Sequence, residues 1–217
     1  MAETTRLIEA VLHTTPAAAL LERALPLSGD PGSIGFRALF AGVSRRLGPA
    51  AAERVAPPAA LAALSRPHWT LTDWTRLLLV ARAAEARPPG EQPATVLRIY
   101  EGGEIGEQES VLRTLGLLPE PARFVETGIA GCRTNAKRVF EAIACDNPFP
   151  ATHFPELNFN QLVMKAVFIE APVARIEGLA ERRTPELRRM ARDYASERRA
   201  AERSVPSDVD LILEGKS

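Results

Sequence analysis

The sequence predicts an all-α protein. Three observations carry that expectation. Apolar residues recur at helical spacing through most of the 217 residues. No segment alternates apolar and polar positions as a half-buried strand does. The chain is rich in Ala and Leu and only 6% aromatic, a composition suited to packed helices. Antiparallel helix pairs at intervals of about 25–35 residues suggest an α-solenoid of the HEAT or armadillo kind. Without literal self-similarity, an irregular helical bundle is the alternative.

Residues 3–12 and 16–25 read as two short helices, with Leu7, Val11 and Leu12, then Leu20, Leu21 and Ala24, facing inward. LSGDPGS (27–33) is a turn cluster or a mobile loop. Phe36, Leu39, Phe40, Val43 and Leu47 form one stripe ending at Gly48-Pro49, and short alanine-rich helices follow to Leu64. Thr70 or Thr72 caps a longer helix through Ala86, buried by Trp74, Leu77, Leu78 and Ala81. RPPGEQP (87–93) is the best candidate boundary in what otherwise reads as a single domain over 1–217, and it reads equally well as an interhelical loop. Pro93 suits a first helical turn before Val96, Leu97 and Tyr100. Gly102-Gly103 breaks the chain, and Glu104, Glu107 and Glu109 place negative charge at the next helix start, where the dipole favours it. Val111, Leu112 and Leu115 bury that helix, and Phe124, Val125, Gly128, Ile129 and Cys132 the one after.

The stretch 133–168 is the most strongly patterned. Thr134 or Asn135 caps a helix whose stripe is Ala136, Val139, Phe140, Ile143 and Ala144, and which must end at Asn147 because Pro148 follows. Pro148, Pro150 and Pro155 make a stiff proline turn. The second helix, about 155–169, carries Phe159, Leu162, Val163, Ala166 and Val167 on one face, and Met164 and Phe168 on another. Apolar nearly all round, it reads as an interior helix. Yet it holds Lys165, one of only three lysines in the chain. A buried ammonium either snorkels to solvent or meets a carboxylate or carbonyl. Thr184-Pro185 opens a last long helix to about 203, with Leu187, Met190, Ala191, Tyr194 and Ala195 inward and eight arginines against five acids over 181–203. That charged side reads as a solvated face, with a partner-docking surface as the alternative. The tail SVPSDVDLILEGKS reads as loosely held.

Charge is balanced, 27 basic against 27 acidic residues, which lacks the basic footprint of a nucleic-acid binder. No apolar run approaches the roughly 18 residues of a membrane span, and MAETTRLIEAVLHTT lacks a signal-type apolar core. With two cysteines, Cys132 and Cys145, a reducing compartment fits, and the cytoplasm is the expected location.

EGGEIGEQESVLRTLGLLP (101–119), the 133–168 stretch and RRTPELRRMARDYASERRAA (182–201) together resemble the EboA family. The resemblance covers about 94–205 and rests on RTN, FEAIA-DNP-P and FNQ-K-F in that order. It implies a small cytoplasmic protein of a conserved bacterial cluster that makes or exports a secondary metabolite. Its neighbours there would be a prenyltransferase, a dehydroquinate-synthase-like cyclase, a sugar-isomerase-like protein, a metal-dependent hydrolase and a phosphodiesterase. The family supplies no established reaction, so no catalytic residue is carried over.

The polar residues of the motifs are Arg133, Asn135, Glu141, Asn147, Asn160, Gln161 and Lys165, with Glu104 and Glu107 nearby in the pattern. Most of them suit structural work, with Asn135 capping, Asn147 ending a helix, Arg133 pairing with Glu141 and Asn160 binding backbone. The sharper reading makes them a ligand site in which Arg133, Asn160 and Lys165 converge on an anion or polyol. Cys132, Cys145 and His153 fit no zinc spacing, and EGGEIG lacks the lysine and the preceding strand of a phosphate loop, so neither metal nor cofactor is expected. Two function classes follow. One is a non-catalytic adaptor or metabolite-binding protein, partnered by other proteins of the cluster or by a small polar metabolite. The other is an enzyme or enzyme subunit acting on a cyclitol- or prenyl-derived intermediate. The absence of a nucleophile–base pattern favours the first.

Overall fold

A computed structural model describes residues 2–55 and 69–214. Among them are thirteen α-helices and no strand, as the helical periodicity predicts. The chain divides into two compact units, 1–131 and 132–217. The 87–93 stretch lies inside the first, where Pro89–Glu91 is a 3-10 turn leading into a helix.

The first unit is built on α5 (Leu71–Glu85), of which every residue but Arg82 and Glu85 is buried. Its start is fixed by Thr70, whose hydroxyl accepts from Asp73 N while the Asp73 carboxylate accepts from Thr70 N at 3.0 Å, a reciprocal cap. Around it pack α1 (Ala2–Leu12), α4 (Val43–Leu47), α6 (Gln92–Glu101) and α7 (Ile105–Thr114). Helix α1 meets it through Thr5, Ile8 and Leu12, while Leu7 is exposed, one position off the face expected for it. Arg82 of α5 pairs with both Glu9 and Glu85, and the Thr5 hydroxyl donates to Glu85 at 2.7 Å.

Helix α2 (Ala18–Ala24) precedes a 3-10 turn over Leu25–Gly29. The single stripe Phe36–Leu47 is buried as expected, but on two helices, α3 (Ile34–Ala41) and α4. The break falls at Gly42, where an added Cβ would lie 1.6 Å from the Arg46 guanidinium and 3.0 Å from the Ala38 carbonyl. Of the alanine-rich stretch expected to Leu64, Gly48–Ala52 is a 3-10 turn and 56–64 lie outside the described residues. Helix α8 (Val125–Cys132) approaches Leu112 so closely at Gly131 that a Cβ would stand 2.7 Å from its methyl groups.

In the second unit α9 (Lys137–Ala144) buries Val139, Phe140, Ala142, Ile143 and Ala144. It starts later than expected. Ala136, assigned by periodicity to the stripe, is instead the flanking N-cap residue, and the Thr134 hydroxyl accepts from its amide at 3.1 Å. The proline connection winds into a short helix, α10 (Phe149–His153), because Pro148 and Pro150 hold φ where a first turn needs it. Helix α11 (Glu156–Phe168) packs against α9 and against α12 (Pro185–Ala200). It is not interior all round. Met164 is half-buried and Phe168 is 73% exposed. The tail is not loose either. Asp208–Leu213 forms α13, which lies on α12 and buries Val209 and Ile212.

Candidate functional site

The seven polar residues singled out by sequence fall in the second unit and have unequal surroundings. Arg133, Asn135 and Gln161 are exposed, and Glu141 is half-buried. No ion pair joins Arg133 to Glu141 among the described residues. Asn147 is 5% exposed and closes its own turn. Its Nδ2 donates to Ala142 O at 2.9 Å, and its Oδ1 accepts from Phe149 N at 3.0 Å. Asp146 beside it takes a left-handed φ of 49°, donates its amide to Arg175 O and pairs its carboxylate with the Arg175 guanidinium. The DNP element is therefore a built helix stop, with Asp tolerating the left-handed position. Asn160 is 1% exposed, and its Oδ1 finds no hydrogen-bond partner among the described residues, in place of the backbone contact expected.

Lys165 takes the carbonyl option. Its ammonium donates to Cys132 O at 2.6 Å and Thr134 O at 2.7 Å, and stands 5.2 Å from the centre of the Phe140 ring. Arg182 does the same for α10, donating one Nη1 to the carbonyls of Pro150, Ala151 and Phe154 within 3.1 Å, 4.5 Å above Phe159. Helix ends leave carbonyls without intrahelical donors, and a cation there satisfies them and the dipole together.

A cavity open to solvent lies in the first unit. It measures about 670 Å³ between α3 and the α6–α7 region, a size ordinary for small-molecule sites. Phe36, Phe40 and Ile99 give it apolar walls, Ala38 and Ala41 leave it open space, and Ile34 stands on it 86% exposed. Three cations line it: Arg37 from α3, Arg87 from the end of α5, and Arg98 from α6. Among the described residues none of the three has a carboxylate partner. Arg98 reaches only the Thr95 hydroxyl, at 3.4 Å, and the buried Nε of Arg87 has no acceptor.

Three acids also line the cavity. Asp30 and Glu104 are exposed, whereas Glu107 is 8% exposed and already engaged. Its Oε2 accepts from Glu104 N at 3.0 Å, fixing the start of α7, and its Oε1 lies 3.9 Å from Arg76. Arg76 in turn is 5% exposed, 5.5 Å from the Phe40 ring centre, and donates to Gly106 O at 2.7 Å and to Ser110 Oγ at 3.2 Å. Ser110 donates to Asp73, which also pairs with Arg113 at 3.2 Å. Burial pushes the Arg76 pKa down, opposed by Glu107, Asp73 and Glu109. The cavity thus rests on a buried charged network whose acids are occupied.

Sequence reasoning named Glu104 and Glu107 but missed Arg37, Arg87 and Arg98. One signal was available: Arg37 has no acidic residue three or four positions away along its helix.

Reactive groups are subdued. Burial pushes the Cys132 thiol up to about 12 and the Cys145 thiol up to about 11, so both are inert as thiols near neutrality. Burial lowers the pKa of His153, whose ring packs 5.0 Å from Phe149. Among the described residues no cluster of three or more His, Cys, Asp or Glu side chains could hold a metal ion, and no helix is long and apolar enough to cross a membrane.

Comparison with curated proteins and with solved structures returned no match. A family model does match, described as metabolite traffic protein EboA, over residues 8–214, so it extends through the first unit where the sequence motifs alone reach back only to about 94. With nearly its whole length inside that match, cavity included, this chain belongs to the EboA family.

Proposed function

We propose that the protein binds a small metabolite in the first unit's cavity, without transforming it, as an accessory protein of a secondary-metabolite biosynthesis or export cluster. The observation that carries this reading is the cavity itself: about 670 Å³, apolar-walled, with polar groups converging on it, the usual form of a small-molecule site. The description of the family as handling metabolite traffic agrees with it. Both cysteines stay protonated, which supports holding over covalent chemistry. Of the site residues expected in the second unit, Asn147 fastens a turn and Lys165 a helix end.

Native mass spectrometry of the untagged protein purified from its own host tests this. The expected result is one small molecule per chain, released unchanged on denaturation and lost in Ala41→Trp. Ala41 is exposed, so a tryptophan there fills the cavity without overpacking the core. A wild-type chain that carries no small molecule would count against the reading. Conversion of the released molecule by fresh protein would favour an enzyme.

A further inference from the structure

We infer that the cavity's ligand is an amphipathic oxyanion: an apolar body against Phe36, Phe40 and Ile99, and a carboxylate or phosphate held by Arg37, Arg87 and Arg98. This rests on the binding reading above and specifies it.

The charge count of the lining, three cations and three acids, is level only on paper. Glu107 is taken up by the Glu104 amide and by Arg76, so it offers the cavity no free carboxylate. Asp30 and Glu104 are exposed to water, as are Arg37 and Arg98, so these charges are screened alike, and the balance turns on Arg87. The three arginines have no carboxylate partner among the described residues. Arg87 is the least exposed of the three, so its charge is the least screened by solvent, and an oxyanion in the cavity pairs with it. The planar guanidinium fork suits carboxylate and phosphate oxygens better than a neutral hydroxyl. The apolar surface left open to a ligand is Ile34, 86% exposed, with the exposed Ala38 and Ala41 beside it, and an amphipathic ligand covers it where a bare inorganic ion does not.

The test uses the full-length chain and anilinonaphthalenesulfonate, a fluorescent amphipathic anion. Competition follows with decanoate, decyl phosphate and decanol, which share one apolar body and differ in headgroup. One saturable dye site per chain, blocked by Ala41→Trp, is expected. The anions should displace the dye at least about tenfold better than decanol, and Arg87→Gln should weaken dye and anions about tenfold while leaving decanol unchanged. Whichever anion competes better assigns the headgroup. Decanol competing as well as the anions, or full dye affinity in Arg87→Gln, overturns the oxyanion inference and leaves the binding reading standing. Absence of saturable binding, or binding that survives Ala41→Trp, overturns both. Should Arg87→Gln misfold by circular dichroism, the double variant Arg37→Gln/Arg98→Gln, both exposed side chains, is judged by the same criteria.

Discussion

Replacing Lys165 by Met removes an ammonium while keeping an unbranched apolar stem, so it isolates the charge. Two short bonds are lost, to Cys132 O at 2.6 Å and Thr134 O at 2.7 Å, together with the contact to the Phe140 ring. A hydrogen bond from a charged donor contributes about 1.5–3 kcal/mol, and the orphaned carbonyls add a desolvation cost where water cannot reach them. Lys165 is only half-buried, so water replaces part of this, and the net loss expected is about 2–3 kcal/mol. With a urea slope of about 1–3 kcal/mol per molar, the unfolding midpoint should fall by roughly 1 M. Circular dichroism in a urea series reads it directly. Lys137→Met is the control: Lys137 is exposed and donates once, to Glu170 O at 2.7 Å. It should cost under about 1 kcal/mol. If Lys165→Met shifts the midpoint no more than Lys137→Met, the helix-end fastening is not what the lysine is for.

The same logic makes Arg182→Met cost about 2–3 kcal/mol, since one nitrogen serves three carbonyls at the end of α10, with Arg182→Lys recovering part of the loss in the same assay. Asn160→Leu should be neutral or stabilising by up to about 1 kcal/mol, because its buried Oδ1 has no partner to lose; a marked drop in melting temperature would reveal a partner. Arg76→Met should destabilise by about 3–5 kcal/mol, leaving Glu107 buried without its cation, and Arg76→Met/Glu107→Gln should cost less than the single change, a coupling that urea midpoints of the double-mutant cycle measure. For the thiols the sign is set by pKa values raised from 9.0 to about 12 and about 11. Between 9.0 and those values the unfolded chain sheds thiol protons that the folded chain keeps, so stability falls as pH rises through that window. Iodoacetamide should label neither cysteine appreciably at about pH 8 until urea is added.

Much of the fold is legible from periodicity. The stripes of α9 and α12 fall largely where spacing puts them, because each buries one face on its neighbours, whereas α5 is buried nearly all round. What misled were features that the apolar spacing does not report. Gly42 breaks a continuous stripe, and the Arg46 guanidinium lies in the space of its missing side chain. Asp208–Leu213 looks like a tail until Val209 and Ile212 find α12 to cover them. Phe168 extends an apolar pattern yet stays in water, since helical spacing reports a residue's direction and not what stands there. The family motifs drew the site reading to the second unit. There the strongest of them, DNP, turns out to be a helix stop made by Asp146, Asn147 and Pro148.

The contrast between the two units has a common physical origin. In the second unit five basic side chains donate to backbone carbonyls: Lys137 to Glu170, Lys165 to Cys132 and Thr134, Arg182 to α10, Arg183 to Leu211 and Arg198 to Ser204. Each of these ties down a turn. In the first unit the buried acids Asp73 and Glu107 are held by Arg76, Arg113, Ser110 and backbone amides. That arrangement keeps the neighbouring carboxylates from neutralising Arg37, Arg87 and Arg98 at the cavity. At the first unit's cavity Arg87 is the least exposed of the three cations, so an anionic headgroup there should owe most of its affinity to that guanidinium.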